Sequence, residues 1–182
     1  MGTYLQEYYP LQGCKGEKIM TVLIGQSFRK KSVYFEIYFN EEWVVYWNYE
    51  FPMEELLPII KKYSSKEFIL QDNVRNKKIV KEVAVKNKTY SFTLDKNEIS
   101  YFQKVVRSGL PKPREKIRRG LDGHFYDVKL CQLNREYICW CILPYEWQDL
   151  NTIINILVER ANLDTQYKAY MCEKKTEFIG SL

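Results

Sequence analysis

His124 is the single histidine of a 182-residue chain, so a two-histidine metal site is excluded and any imidazole chemistry rests on this one ring. It follows Leu121-Asp122-Gly123, a turn signal, and stands where a strand begins. A general base there needs a carboxylate within reach, and Asp122 and Asp127 are the two nearest in sequence. His124, Asp122 and Asp127 are the candidate catalytic residues. Alternation along a strand works against the set, because adjacent side chains point to opposite faces. A polar residue beside a turn is the ordinary alternative.

Thiols are the second possibility. Cys139-Trp140-Cys141 puts two sulfurs on one face of a strand, and Cys131 on the expected partner strand can lie diagonally near them. Cys131, Cys139 and Cys141 are the candidate metal ligands, but their spacing is not Cys-x2-Cys and no fourth ligand stands nearby. Free cysteines of this kind commonly serve as small core residues, so no cofactor is expected. An odd total of 5 cysteines suits a reducing compartment, and a cytoplasmic location is expected.

Other reaction classes lack their residues. Gly13-Cys14-Lys15-Gly16 is too short for a phosphate-binding loop and lacks its Ser or Thr. Neither a Gly-x-Ser-x-Gly elbow nor a His-Glu-x-x-His helix occurs. The pairs Glu41-Glu42 and Glu54-Glu55 fall in a turn and at a helix start, where solvated charge and the helix dipole account for them. A non-enzymatic protein-binding domain is therefore the leading expectation. An enzyme with a dispersed site near His124 is the third.

The second expectation, nucleic-acid binding, comes from charge. The net charge is +5, and residues 66 to 135 hold 17 basic side chains against 8 acidic ones, so the excess lies in the middle. Its densest run, Lys104, Arg107, Lys112, Arg114, Lys116, Arg118 and Arg119, surrounds Pro111 and Pro113 with Glu115 as the one acidic member. Such an exposed connection can bind phosphates, with rings from a sheet stacking on bases. The protein-binding expectation draws instead on Tyr34, Tyr38, Tyr46 and Tyr49, too many to lie all on a core face.

The elements that would position these residues follow from periodicity. Val33 to Phe39 and Trp43 to Tyr49 alternate about an Asn40-Glu41-Glu42 turn, and Pro52 opens a helix carrying Leu56, Ile59, Ile60 and Tyr63, which Pro58 should kink or delay. Lys78 to Val85 and Thr89 to Leu94 alternate about Asn87, followed by a helix from Asp95 with Glu98 at capping-box spacing and a stop at Gly109 and Pro111. Phe125 to Cys131 and Glu136 to Ile142 form a hairpin about Asn134, and Pro144 opens a helix through Ala161. The expected fold is α+β: an antiparallel or mixed sheet built from three successive ββα units, 33–63, 78–107 and 124–161, with helices packed on it. Turn spacings of 46 and 47 residues fit either descent from a repeat or the chance recurrence of units of ordinary length.

Three flanking pieces read as short strands: Ile19 to Ile24, Phe68 to Leu70, and Tyr167 to Cys172. The whole chain, 1–182, fits one domain. The start lacks a basic and apolar leader, and no stretch approaches the roughly 20 apolar residues of a membrane span, so no membrane partner is expected.

Overall fold

A computed structural model describes residues 11–26, 31–64, 72–113, 124–140 and 142–171. Its centre is a six-stranded, wholly antiparallel sheet in the order β4-β3-β2-β1-β5-β6. The strands are β1 (Glu17–Gln26), β2 (Val33–Asn40), β3 (Glu42–Tyr49), β4 (Tyr90–Thr93), β5 (His124–Leu130) and β6 (Arg135–Trp140). The helices are α1 (Met53–Ser64), α2 (Asp72–Lys86), α3 (Lys96–Ser108) and α4 (Gln148–Arg160), with short 3-10 turns at Tyr145–Trp147 and Thr165–Tyr167.

Alternation sets the core face. Met20, Val22 and Ile24 of β1 pair with Ile37, Phe35 and Val33 of β2 on one side and with Leu130, Val128 and Tyr126 of β5 on the other. All nine are buried, and α3 and α4 cover them with Phe102, Val105, Val106, Leu150, Ile153, Ile154 and Leu157. The two helices are joined by Lys104–Asp149 at 2.8 Å and Arg160–Glu98 at 3.7 Å.

Local chemistry fixes the ends. Asp95 Oδ1 accepts from the backbone N–H groups of Asn97 and Glu98 while Glu98 accepts from Asp95 N–H, the reciprocal box expected from the spacing. Gly109 closes α3 at φ 71, and a Cβ there would meet the Tyr137 hydroxyl at 2.7 Å. That hydroxyl accepts from Leu110 N–H at 3.0 Å, and Trp147 Nε1 donates to Pro111 O at 2.8 Å, tying the end of α3 to β6 and to the approach of α4. Gly25 is constrained by contact alone, since a Cβ would sit 1.8 Å from the Phe125 ring.

The first and third hairpins form as expected, with Glu41 at φ 66 and Asn134 at φ 48 in their turns. The second ββα unit does not form. Lys78 to Val85 belongs to helix α2, so β4 has no hairpin partner before it and pairs instead with β3. Ile79 and Val83, four apart, share a face in a helix as they would in a strand, and both are buried with Phe51, Leu56 and Ile59 in a small core of their own. A partner helix, α1, is what settles the choice. The chain between β3 and β4 is thus a helical pair inserted between neighbouring strands, and a threefold ββα repeat is not present.

The other departures are smaller. Ile19 to Ile24 belongs to the ten-residue central strand rather than a flanking piece. Pro58 is accommodated within α1. Pro144 precedes a 3-10 turn, and α4 starts at Gln148. Tyr167 to Met171 makes a 3-10 turn and one bridge, Leu143 to Met171, rather than a strand. Phe68 to Leu70 and Cys172 lie outside the described residues.

Candidate functional site

The sheet's other face is the chemically richer one. Tyr34, Glu36 and Tyr38 alternate with the core residues of β2 and lie opposite Leu23, Thr21 and Lys18 of β1. Glu36 is buried, at 7% exposure, so its carboxylate needs partners. It has three: the hydroxyls of Tyr34 and Tyr38 each donate at 2.8 Å, and the Lys18 ammonium pairs with Oε1. Burial first, then the Glu36 charge, pushes both phenols well above the usual tyrosine range, so they remain donors. Thr21 stands opposite Glu36 on β1, and Cys14 is half-buried. Burial also raises the Cys14 and Cys131 thiols, which keeps them in the protonated, weakly nucleophilic form. The cluster is a satisfied buried carboxylate. On β3, opposite Tyr34, the fully buried Asn48 leaves both amide atoms without a hydrogen-bond partner among the described residues.

Asp127 lies on this face too, opposite Leu23 and Ile138. Burial, then the Glu136 charge, raises its carboxyl from 3.8 to about 6, against an opposing pull from Lys129. A carboxyl whose folded value is raised binds its proton more tightly when folded, so its cost to stability is absent below about pH 4 and complete above about pH 6. Asp127→Asn is therefore expected to match the wild type below pH 4 and to exceed it by on the order of 2 kcal/mol at pH 7. Urea unfolding across this range checks it; a stability difference that does not change between pH 4 and 6 would refute it.

His124 and Asp127 are not brought together. Along β5, His124 falls in the alternation of Tyr126 and Val128, facing the helices, whereas Asp127 faces the other way. Asp122 lies outside the described residues. Of the thiols, Cys131 and Cys139 are not brought together either. Cys139 opposes Tyr126 and donates from Sγ to Ile142 O at 3.1 Å, while Cys131 lies beyond Leu130, five residues or about 16 Å along the strand. Cys141 lies outside the described residues. Among the described residues no group of three or more His, Cys, Asp or Glu is placed to hold a metal ion.

Of the basic run, Lys104 is engaged with Asp149, Lys112 is exposed, and Arg114, Lys116, Arg118 and Arg119 lie outside the described residues. Arg107 lines an open cleft of about 200 Å³ with Phe39, Trp43, Gln103 and Gln132. Small-molecule sites commonly enclose about 300–1,000 Å³, so this cleft is small for a substrate pocket.

The sheet ends at β6, which pairs with β5 alone among the described strands. Around it stand Ile138 at 48% exposure, Ile142 at 52% and Tyr170 at 60%. Leu143 N–H donates to Tyr170 O at 2.8 Å, which holds the last two side by side. Ile142 and Tyr170 follow no sequence alternation that marks them as exposed; their place depends on the Leu143–Met171 bridge.

No helix among the described residues is long and apolar enough to cross a membrane. No known protein family, curated protein or solved structure matches this chain.

Proposed function

We propose that this chain is a protein-binding domain that receives an extended segment of its partner along β6. The observation that carries the reading is an outer strand bordered by half-exposed Ile138, Ile142 and Tyr170. An edge strand offers a row of backbone donors and acceptors to an added strand, and neighbouring apolar side chains give the pairing its specificity. Natural edges are commonly blunted by charge, but here Arg135 and Glu136 occupy only the first two positions, leaving Ile138 at the centre.

The test uses affinity capture from the source cell and hydrogen exchange. A stoichiometric partner is expected to be retained by the wild type and lost by Ile138→Lys with Tyr170→Lys, two exposed changes that should leave unfolding nearly unaltered. The amides of β6 should gain protection when the partner is added. Full retention by the variant would overturn the reading.

Nucleic-acid binding through residues 104–119 is the second reading. Arg107, which has no ion pair among the described residues, stands beside Phe39, a ring 43% exposed. A cation next to an accessible ring suits a stacked base and its phosphate.

A further inference from the structure

The helical insertion between β3 and β4 turns basic from the end of α1 onward. From Lys61 to Lys88 the chain holds nine basic side chains and three acidic ones. In a strand, Lys81 would share the face of Ile79 and Val83. In α2 it points away from them, because residues advance by about 100° each. Lys77, Lys78 and Lys81 then fall within an arc of about 100° on the side opposite buried Ile79 and Val83. All three are exposed. Lys62 of α1 reaches the same neighbourhood, bonded to Glu82 at 2.8 Å, and Glu82 is the one acidic residue there among the described residues.

We infer that the outward face of α2 is a second binding surface, for double-helical DNA, held through its phosphates by Lys77, Lys78 and Lys81. Charge complementarity selects a polyanion. Three features then select its kind. The apolar faces of α1 and α2 are spent on each other, with Leu57 and Val85 the large apolar side chains left exposed on them, so a broad membrane-seeking face is missing among the described residues. Helix α2 itself carries no aromatic residue, and the nearby Tyr63 ring of α1 is engaged, its hydroxyl with Glu82 and its face with the Lys62 ammonium 5.1 Å from the centroid, so the surface lacks the open stacking platforms that single strands use. An α-helix fits the major groove of B-form DNA, about 12 Å wide, but not the deep, narrow groove of A-form RNA. This surface is independent of the β6 edge and of residues 104–119.

Fluorescence anisotropy of the full chain with a labelled 20-base-pair DNA duplex of mixed sequence, from 50 to 200 mM salt, tests the inference. Binding is expected to weaken steeply with salt. Lys77→Ala, Lys78→Ala and Lys81→Ala together should weaken it at least tenfold at 100 mM, and flatten the log–log salt slope by roughly 2–3, near 0.9 for each phosphate no longer neutralised. Alanine favours an exposed helix, and circular dichroism should confirm that the variant folds. The control, Lys15→Ala with Lys31→Ala and Lys96→Ala, three exposed lysines outside α2 and outside residues 104–119, should bind as the wild type does. The inference is overturned by absent binding at 50 mM, by a triple α2 variant that binds normally, or by tighter binding to single-stranded DNA, duplex RNA or phosphatidylserine vesicles than to duplex DNA.

Discussion

Phe102→Ala is expected to lower the unfolding free energy by about 3–5 kcal/mol, the range for removing a large aromatic side chain from a core. Phe102 is fully buried on α3, its ring centroid 6.4 Å from that of Trp43 on β3, so it joins the helical layer to the sheet. Alanine removes the ring from between Trp43 and the neighbouring Val105 and Val106, and the layers must either collapse or leave a cavity. For a chain of this size the loss corresponds to a fall of roughly 6–20 °C in the unfolding midpoint. Tyr101→Ala is the control, on the same helix but 40% exposed, and should cost much less. Urea unfolding of the two variants decides the matter. A Phe102 effect below about 1 kcal/mol would mean that α3 does not pack on the sheet as described.

The position of Phe102 is legible in the sequence, and the reason is local. Asp95 and Glu98 mark the start of α3 by side-chain chemistry within four residues, and Ile99, Phe102 and Val106 repeat at a helical period. The β2–β3 and β5–β6 hairpins are legible for the same kind of reason, alternation on both sides of a turn. Helix α2 is not. Its buried pair is four residues apart, an interval that satisfies a period of 2 and a period near 3.6 alike, and a single residue tells the two apart: Lys81, which would interrupt the apolar face of a strand but turns to solvent in a helix. The long central strand shows in sequence only as a short apolar piece, because both its faces are buried and alternation is erased beyond that run.

The same distinction governs the sites. Tyr34-Phe35-Glu36-Ile37-Tyr38 places a carboxylate between two phenols on one strand face, a local signal present in sequence, although the tyrosines stand out there by number and Glu36 does not. Lys18 reaches Glu36 through the register of β1 against β2, which no local pattern specifies. The β6 edge and the lysine face of α2 depend still more on long-range pairing. They also stand at opposite sides of the sheet order, β6 at one end and the β3–β4 insertion at the other, so an occupant of one is not expected to exclude an occupant of the other.

Glu36 carries the second large effect. Its carboxylate accepts from two phenols and pairs with an ammonium while itself only 7% exposed, and removing one partner of a buried charged set commonly costs about 3–5 kcal/mol. Glu36→Ala is expected to cost about 3–4 kcal/mol. Lys18 can recover water, being 39% exposed at its side chain, whereas the Tyr34 phenol, at 7% exposure, loses a partner with little access to solvent. The remedy follows from that asymmetry. Glu36→Leu combined with Tyr34→Phe and Tyr38→Phe removes the donors along with the acceptor, and should recover at least half of the loss, because apolar replacement of a whole buried polar set is often close to neutral. Urea unfolding of the single and triple variants at pH 7 reads both effects. A triple variant no more stable than Glu36→Ala would overturn this account, because leucine refills the space of Glu36 and the two phenylalanines leave no phenol unpaired.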